Sequence, residues 1–348
     1  MPSDANIEQA LQETVRAAFT AGTSLAICGS GTKRFYTGAA SGTPLDVTGH
    51  RGIVSYEPTE LVITARAGTP LAEIEATLAE KNQMLGFEPP QFGPTATLGG
   101  TIACNLSGPR RPYTGSARDF VLGTKIINGK GEILKFGGQV MKNVAGFDVS
   151  RLMAGSYGRL GILLDVSLKV LPKPAQEITL AFQMSTDEAI RRMNTWAGQP
   201  LPLSAAAHHD NTLYVRLSGA AAGVNAAQKK LGGELLEKGA AFWQELREHQ
   251  LLFFTGETPL WRLSVPPAAA HLNLPGKWLL DWGGAQRWLR TTTNESDIRR
   301  VVETASGHAT PFRNAARPDP LSLSMPAASR LAHDLQLAFD PSAIFRPA

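Results

Sequence analysis

Pro90-Gln-Phe-Gly-Pro-Thr-Ala-Thr-Leu-Gly-Gly-Thr-Ile-Ala-Cys-Asn-Leu-Ser-Gly108 is the stretch on which the architecture turns. It lies within Gly86–Gly123, where Gly and Pro interrupt the chain every few positions and no period persists long enough for a regular element. A loop of that length inside a compact domain is usually functional. Gly99-Gly100 lets backbone come close to a flat ligand, and Thr97, Asn105 and Ser107 offer short polar arms. Such a loop suits a cofactor with a long polar middle.

On the N-terminal side, Pro70 opens an amphipathic helix through Leu71, Ile74 and Leu78. Before it, Gly52–Arg66 holds two strand-like runs, IVSY and LVITAR, divided by Glu57-Pro-Thr59. Further back, Ile7, Leu11, Val15, Ala18 and Phe19 recur at helical spacing, and Ser24–Cys28 reads as a short buried strand. That strand feeds Cys28-Gly-Ser-Gly-Thr-Lys33, a turn whose glycines let backbone N–H groups converge on a phosphate oxygen, with Lys33 adding charge. It is neither GxGxxG nor GxxxxGK[ST], which argues against a Rossmann nucleotide fold and a P-loop.

On the C-terminal side, Val121–Ile127 is a strand, and Asn128-Gly129 with Gly131 turns into Glu132–Phe136. Lys142-Asn-Val-Ala-Gly-Phe-Asp148, Arg151-Leu and Gly155-Ser-Tyr-Gly-Arg-Leu-Gly-Ile162 then lead into an alternating strand, Leu160–Leu171, closed by Pro172 and Pro174. Past those prolines the texture changes. Strands are expected at Ile178–Met184, Leu203–His208, Thr212–Leu217, Leu260–Val265, Trp278–Trp282 and Gln286–Thr291. Helices are expected at Thr186–Trp196, Ala220–Leu231, Ala241–Glu248 and Glu295–Ala305. This predicts an α+β chain with residues 1–172 as one domain, 173–310 as a second, and 311–348 returning to the first.

Composition narrows the function classes. The 348 residues, 43% hydrophobic and 18% charged, give ample material for two cores, and 34 Lys+Arg against 30 Asp+Glu leaves only +4, spread along the chain. No nucleic-acid footprint is indicated. The first residues lack a basic flank followed by an apolar core, and no run of eighteen apolar residues occurs, so a cytosolic location without direct membrane insertion is expected. Cys28 and Cys104 have no CxxC spacing, so any iron–sulfur cluster must belong to a partner.

Taken in order, the segments GSGT, TLGGTIACNLSGPRR, GSARDFVLG and KNVAGFDVSRLMAGSYGRLGI closely resemble the FAD-binding domain of the vanillyl-alcohol-oxidase-type (PCMH-type) flavoproteins. Within them the resemblance is greatest to the FAD-binding subunits of bacterial glycolate oxidase, and it extends to FWQELRE around Trp243 and DWGGAQRW at Asp281–Trp288. It implies a two-subdomain flavin domain followed by an α+β cap-like domain. It also implies that Gly29, Ser30, Gly31, Thr32 and Lys33, with Thr97, Leu98, Gly99, Gly100, Ala103, Asn105, Ser107 and Gly108, wrap the pyrophosphate of FAD, and that Pro90 belongs to the cofactor site. Arg110 and Lys142 would favour its anionic parts, and Gly161 and Ile162 would meet its far end through backbone. With no histidine in the Gly29–Lys33 turn, the FAD is expected to be non-covalent. Thr114 stands where the family carries a tyrosine, and the aromatic of the KNVAG motif is Phe147, without a hydroxyl, so neither is given a polar role.

Oxidising a 2-hydroxy acid needs a base, a cation or metal for the carboxylate, and a flavin. Related catalytic subunits carry a GHxGDGNxH motif, where this chain has only Gly307-His-Ala-Thr310. His208-His209-Asp210 ends a strand, where adjacent side chains face oppositely and cannot readily chelate one ion. No catalytic residue and no metal site are therefore assigned. The resemblance implies a relay role beside a homologous FAD-containing catalytic subunit and an iron–sulfur subunit, with glycolate as substrate of the complex and membrane contact only through other chains. Two rivals stay open: a self-sufficient dehydrogenase using Arg110, His308 or the His208 pair, and an assembly subunit without flavin. Arg118-Asp119 and Asp148 with Arg151 are read as structural ion pairs, Cys104 as packing, and Trp278, Trp282 and Trp288 as core.

Overall fold

The computed structural model describes residues 5–37, 41–138, 148–315 and 326–346. The described residues divide into two compact units, one drawn from Met1–Leu106, Ser116–Lys173 and Pro318–Ala348, the other from Ser107–Gly115 and Pro174–Arg317.

In the first unit, α1 (Glu8–Ala21) buries Leu11, Val15 and Ala18, the expected stripe, and stops at Gly22 in the left-handed region. Strand β1 (Leu25–Cys28) leads through the glycine turn to α2 (Arg34–Thr37), and β2 (Thr43–Asp46) pairs parallel with β1, Leu25 opposite Thr43. Then come β3 (Ile53–Glu57), β4 (Val62–Arg66), α3 (Leu71–Ala79), β5 (Gln83–Met84) and α4 (Leu98–Cys104). After α5 (Arg111–Thr114), which belongs to the second unit, follow α6 (Ala117–Phe120), β6 (Val121–Ile127), β7 (Ile133–Gly137), α7 (Val149–Leu152), β8 (Ile162–Lys169) and β9 (Leu171–Pro172). An antiparallel sheet of order β3-β4-β8-β6-β7 forms the centre.

Two cores flank that sheet. One gathers Leu11, Val15, Leu25, Leu45, Ile127, Ile162 and Leu164; the other gathers Ile63, Leu71, Ile74, Phe87, Ile102, Phe120, Val166 and Leu168. A register shift between Lys125 and Ile126 in the β6–β8 ladder accounts for the switch along β8, where Ile162 and Leu164 serve one core and Val166 and Leu168 the other. The alternating strand expected over Leu160–Leu171 is thus corrected: β8 is a central strand buried almost throughout.

The second unit runs β10 (Gln176–Gln183), α8 (Thr186–Ala197), β11 (Leu203–His209), β12 (Thr212–Gly219), α9 (Ala221–Leu231), β13 (Glu234–Leu235), α10 (Gly239–Arg247), β14 (Leu260–Ser264), β15 (Lys277–Asp281), β16 (Gln286–Arg290), α11 (Glu295–Thr304) and β17 (His308–Arg313). Its eight strands form one antiparallel sheet of order β13-β10-β12-β11-β15-β16-β14-β17. Two apolar clusters fill it, one around Leu180, Met193, Leu213 and Leu280, the other around Trp261, Leu263, Leu289 and Ile298. Helix α12 (Pro326–Phe339) returns the chain to the first unit. The α+β class read from the sequence holds.

Three further expectations are corrected. Gly86–Gly123 is not free of regular structure: α4 forms because Thr97 Oγ1 accepts the Gly100 N–H at 3.3 Å while Leu98, Thr101 and Ile102 are buried. Residues 107–115 cluster with the second unit, where Trp282 Nε1 donates to the Gly108 carbonyl at 3.0 Å and the Arg111 guanidinium lies 4.2 Å from the Trp282 ring centre. The second unit also runs past residue 310, because His308–Arg313 pairs with β14 as an edge strand.

Candidate cofactor site

A cavity of about 650 Å³ opens in the first unit, within the range of small-molecule and cofactor sites. Three stretches line it: Ala26–Phe35 with Thr37, Gly42, Pro44 and Val47; Ala67 with Thr97, Gly99, Gly100, Ala103 and Cys104; and Ser156–Gly158 with Gly161–Leu163. The stretches come together because β1 aims its turn at the cavity, α4 presents one face to it, and β8 begins beside it.

Three of the lining glycines have a local reason. Gly31 has a φ of 78°, open to glycine and strained for other residues. A Cβ at Gly99 would lie 2.8 Å from that of Ala67, and one at Gly161, where φ is 141°, would lie 2.6 Å from the Ile127 carbonyl oxygen. Lys33 is 5% exposed, and its Nζ donates to the Gln91 carbonyl at 3.4 Å. Lys33 and Arg34 are the cationic residues of the lining. Phe35 meets Phe92 edge to face at 5.1 Å, and Tyr157 donates to the Tyr36 hydroxyl at 3.3 Å.

The cavity brings together Gly29, Ser30, Gly31, Thr32, Lys33, Thr97, Gly99, Gly100, Ala103, Gly161 and Ile162. Other expected residues fall elsewhere. Leu98 is core and Pro90 is buried away from the lining. Asn105 is the left-handed cap of α4, and its Oδ1 accepts the Arg118 N–H at 3.1 Å, a role within the loop. Ser107, Gly108 and Arg110 go with the second unit. There Arg110, 5% exposed, binds Glu177 at 2.5 Å, and Glu177 also accepts from Ser218 at 2.6 Å. Lys142 and Phe147 lie outside the described residues.

Sequence reasoning missed Cys28, Arg34, Phe35, Cys104 and Tyr157 as lining. Cys104 sits four residues after Gly100, so only recognition of α4 as a helix puts the two on one face. It packs against core and borders the cavity as well. The Asp148–Arg151 pair forms at 3.1 Å, whereas Asp119 completes a capping box with Ser116.

The second unit's histidines do not build a metal site. His208 Nε2 faces the Met184 carbonyl at 3.1 Å, the His209 ring packs on Phe253, and His308 lies on the edge strand β17. Among the described residues no group of three His, Cys, Asp or Glu could hold a metal. Tyr113 is also unfit as a base: burial, then the nearby Asp281 carboxylate, push its pKa up to about 12.

Backbone-rich walls, small residues and a buried lysine fit the pyrophosphate and flat rings of FAD. Residues 5–137 match the FAD binding domain family, and the chain is one component of an FAD-dependent oxidoreductase. It is 50% identical over 347 residues to glycolate oxidase subunit GlcE of Escherichia coli (strain K12), covering 100% of this chain and 98% of that one. The chain belongs to the family of these GlcE proteins. Glycolate oxidase subunit GlcD of Bacillus subtilis (strain 168) is 34% identical over 119 residues, 34% of this chain and 25% of the relative. Alkyldihydroxyacetonephosphate synthase shares the fold with a TM-score of 0.70 at 13% identity, over 99% of this chain and 75% of that one.

Proposed function

We propose that the chain holds non-covalent FAD in the first unit's cavity and serves as the electron-relay subunit of a glycolate oxidase complex. Its partners are a homologous FAD-containing catalytic subunit and an iron–sulfur subunit, and the complex oxidises glycolate to glyoxylate. Bound FAD supplies the redox chemistry. The chain's own part is to cradle the pyrophosphate with Gly29–Thr32, balance its charge with Lys33, and close on the flat rings with Gly99, Gly100 and the backbone of Gly161 and Ile162.

The observation that carries the relay role is the make-up of the described lining, which includes lysine, arginine, hydroxyls and backbone but neither histidine nor carboxylate. Taking a hydroxyl proton from a 2-hydroxy acid calls for such a base. The likeness to a GlcD protein over 119 residues supports a homologous partner. No helix among the described residues is long and apolar enough to cross a membrane, so in this reading membrane contact comes through other chains.

Anaerobic mixing of the purified chain with glycolate and a dye acceptor tests the assignment. No dye reduction by the lone chain, and turnover once the partner subunits are added, is the expected outcome. Turnover by the lone chain at the rate of the complex would replace the relay role with a self-sufficient dehydrogenase.

A further inference from the structure

Helix α12 hands the chain to Asp340, whose side chain is fully buried. Its Oδ1 accepts the Ile344 N–H at 3.0 Å and its Oδ2 the Phe345 N–H at 2.8 Å. The β6–β7 turn closes over it: the Gly129 N–H donates to the Phe339 carbonyl at 2.9 Å, and a Cβ at Gly129 would lie 2.3 Å from Asp340 Oδ1. Only glycine fits there, so both sides of the clamp are specified.

The clamp aims the tail at β1. Leu25 N–H donates to the Ile344 carbonyl at 2.7 Å, and Arg346 N–H donates to the Leu25 carbonyl at 2.9 Å, so the tail lies as a parallel partner beside β1. Ile344 and Phe345, each 1% exposed, pack in the cluster that holds Val47 and Ile162, both cavity-lining residues. The remainder of β1, Ala26–Cys28, itself lines the cavity and runs into Gly29–Lys33. β1 is therefore held by β2 and the tail while its free end carries the cofactor turn.

We propose that Asp340 is a positioning residue for the cofactor: by folding the C-terminal tail onto β1 it fixes where the Gly29–Lys33 turn stands in the FAD cavity. This rests on FAD occupying that cavity and is independent of the relay role.

The test is titration of flavin-free protein with FAD, followed by quenching of flavin emission. Asp340→Asn leaves one acceptor oxygen for two N–H groups. Arg346→Pro deletes the N–H that meets Leu25 without entering the core, and Arg346→Ala removes the same charge while keeping that N–H. Asp340→Asn and Arg346→Pro are expected to weaken FAD binding about tenfold, with Arg346→Ala binding as wild type. All six tryptophans lie in the second unit, so their unfolding curve should stay unmoved and show that this unit is folded. Wild-type affinity in Arg346→Pro would overturn the inference even if Asp340→Asn fails to fold. A wild-type chain that takes up no FAD would overturn the cavity assignment itself, and this inference with it.

Discussion

At Gly161 the backbone takes a φ of 141°, and a methyl group there would press on the Ile127 carbonyl oxygen at 2.6 Å. Gly161→Ala is expected to destabilise the first unit by about 2 kcal/mol through that strain and to reduce FAD occupancy. Denaturant unfolding and flavin content after purification check both effects. Lys33, proposed from its place after the glycine turn to balance an anionic ligand, is buried in the cavity wall. Lys33→Met is expected to weaken FAD binding about tenfold or more, as for loss of a charge-assisted hydrogen bond, measured by the same titration in low and high salt. Arg110 was less legible. Its partner Glu177 is 67 residues away, and no local spacing announces such a pair.

Among the elements, β1, β3, β4, α3 and the β6–β7 hairpin were legible because periodicity and turn residues agree there. Helix α4 was not, since glycines at 99 and 100 are poor helix formers; one cap and the burial of Leu98, Thr101 and Ile102 override that propensity. Thr97→Ala is expected to cost about 1 kcal/mol of stability, seen as a lower urea midpoint at unchanged slope. Strand β17 was also missed, since Pro311 reads as a break in a strand, and an edge strand tolerates it. An aromatic cluster joins the end of α10 to β16 and β17. His249 stacks flat on Phe254 at 3.9 Å with Trp288 edge-on and Phe312 tilted against it. The residue is half-buried by area, but its ring is enclosed, and burial holds its pKa well below the ordinary 6.5. Burial lowers the pKa values of His208 and His271 as well. With folded values below unfolded ones, the unfolded chain binds more protons. The contribution of these histidines to the stability of the second unit is therefore full above pH 6.5 and is lost progressively as pH falls from there through their lowered folded values. His249→Phe should flatten that decline in tryptophan-monitored unfolding between neutral and mildly acidic pH.

Over the whole molecule, Pro172 and Pro174 marked the main passage between units, while the excursion of 107–115 into the second unit depends on Trp282 far along the chain and left no local trace. Each unit has its own cores, and the cofactor cavity is built from first-unit residues alone. FAD at a hundredfold excess over its dissociation constant should stabilise the first unit by about 2.7 kcal/mol. Flavin release should then shift upward in temperature more than the tryptophan signal of the second unit. The most direct test of the central claim is the visible spectrum of the chain purified alone, taken before and after unfolding in denaturant and filtration. One flavin per chain, passing wholly into the filtrate as FAD, is the expected result. A colourless chain that stays colourless when FAD is added, or flavin that remains with the unfolded polypeptide, would contradict a non-covalent FAD subunit.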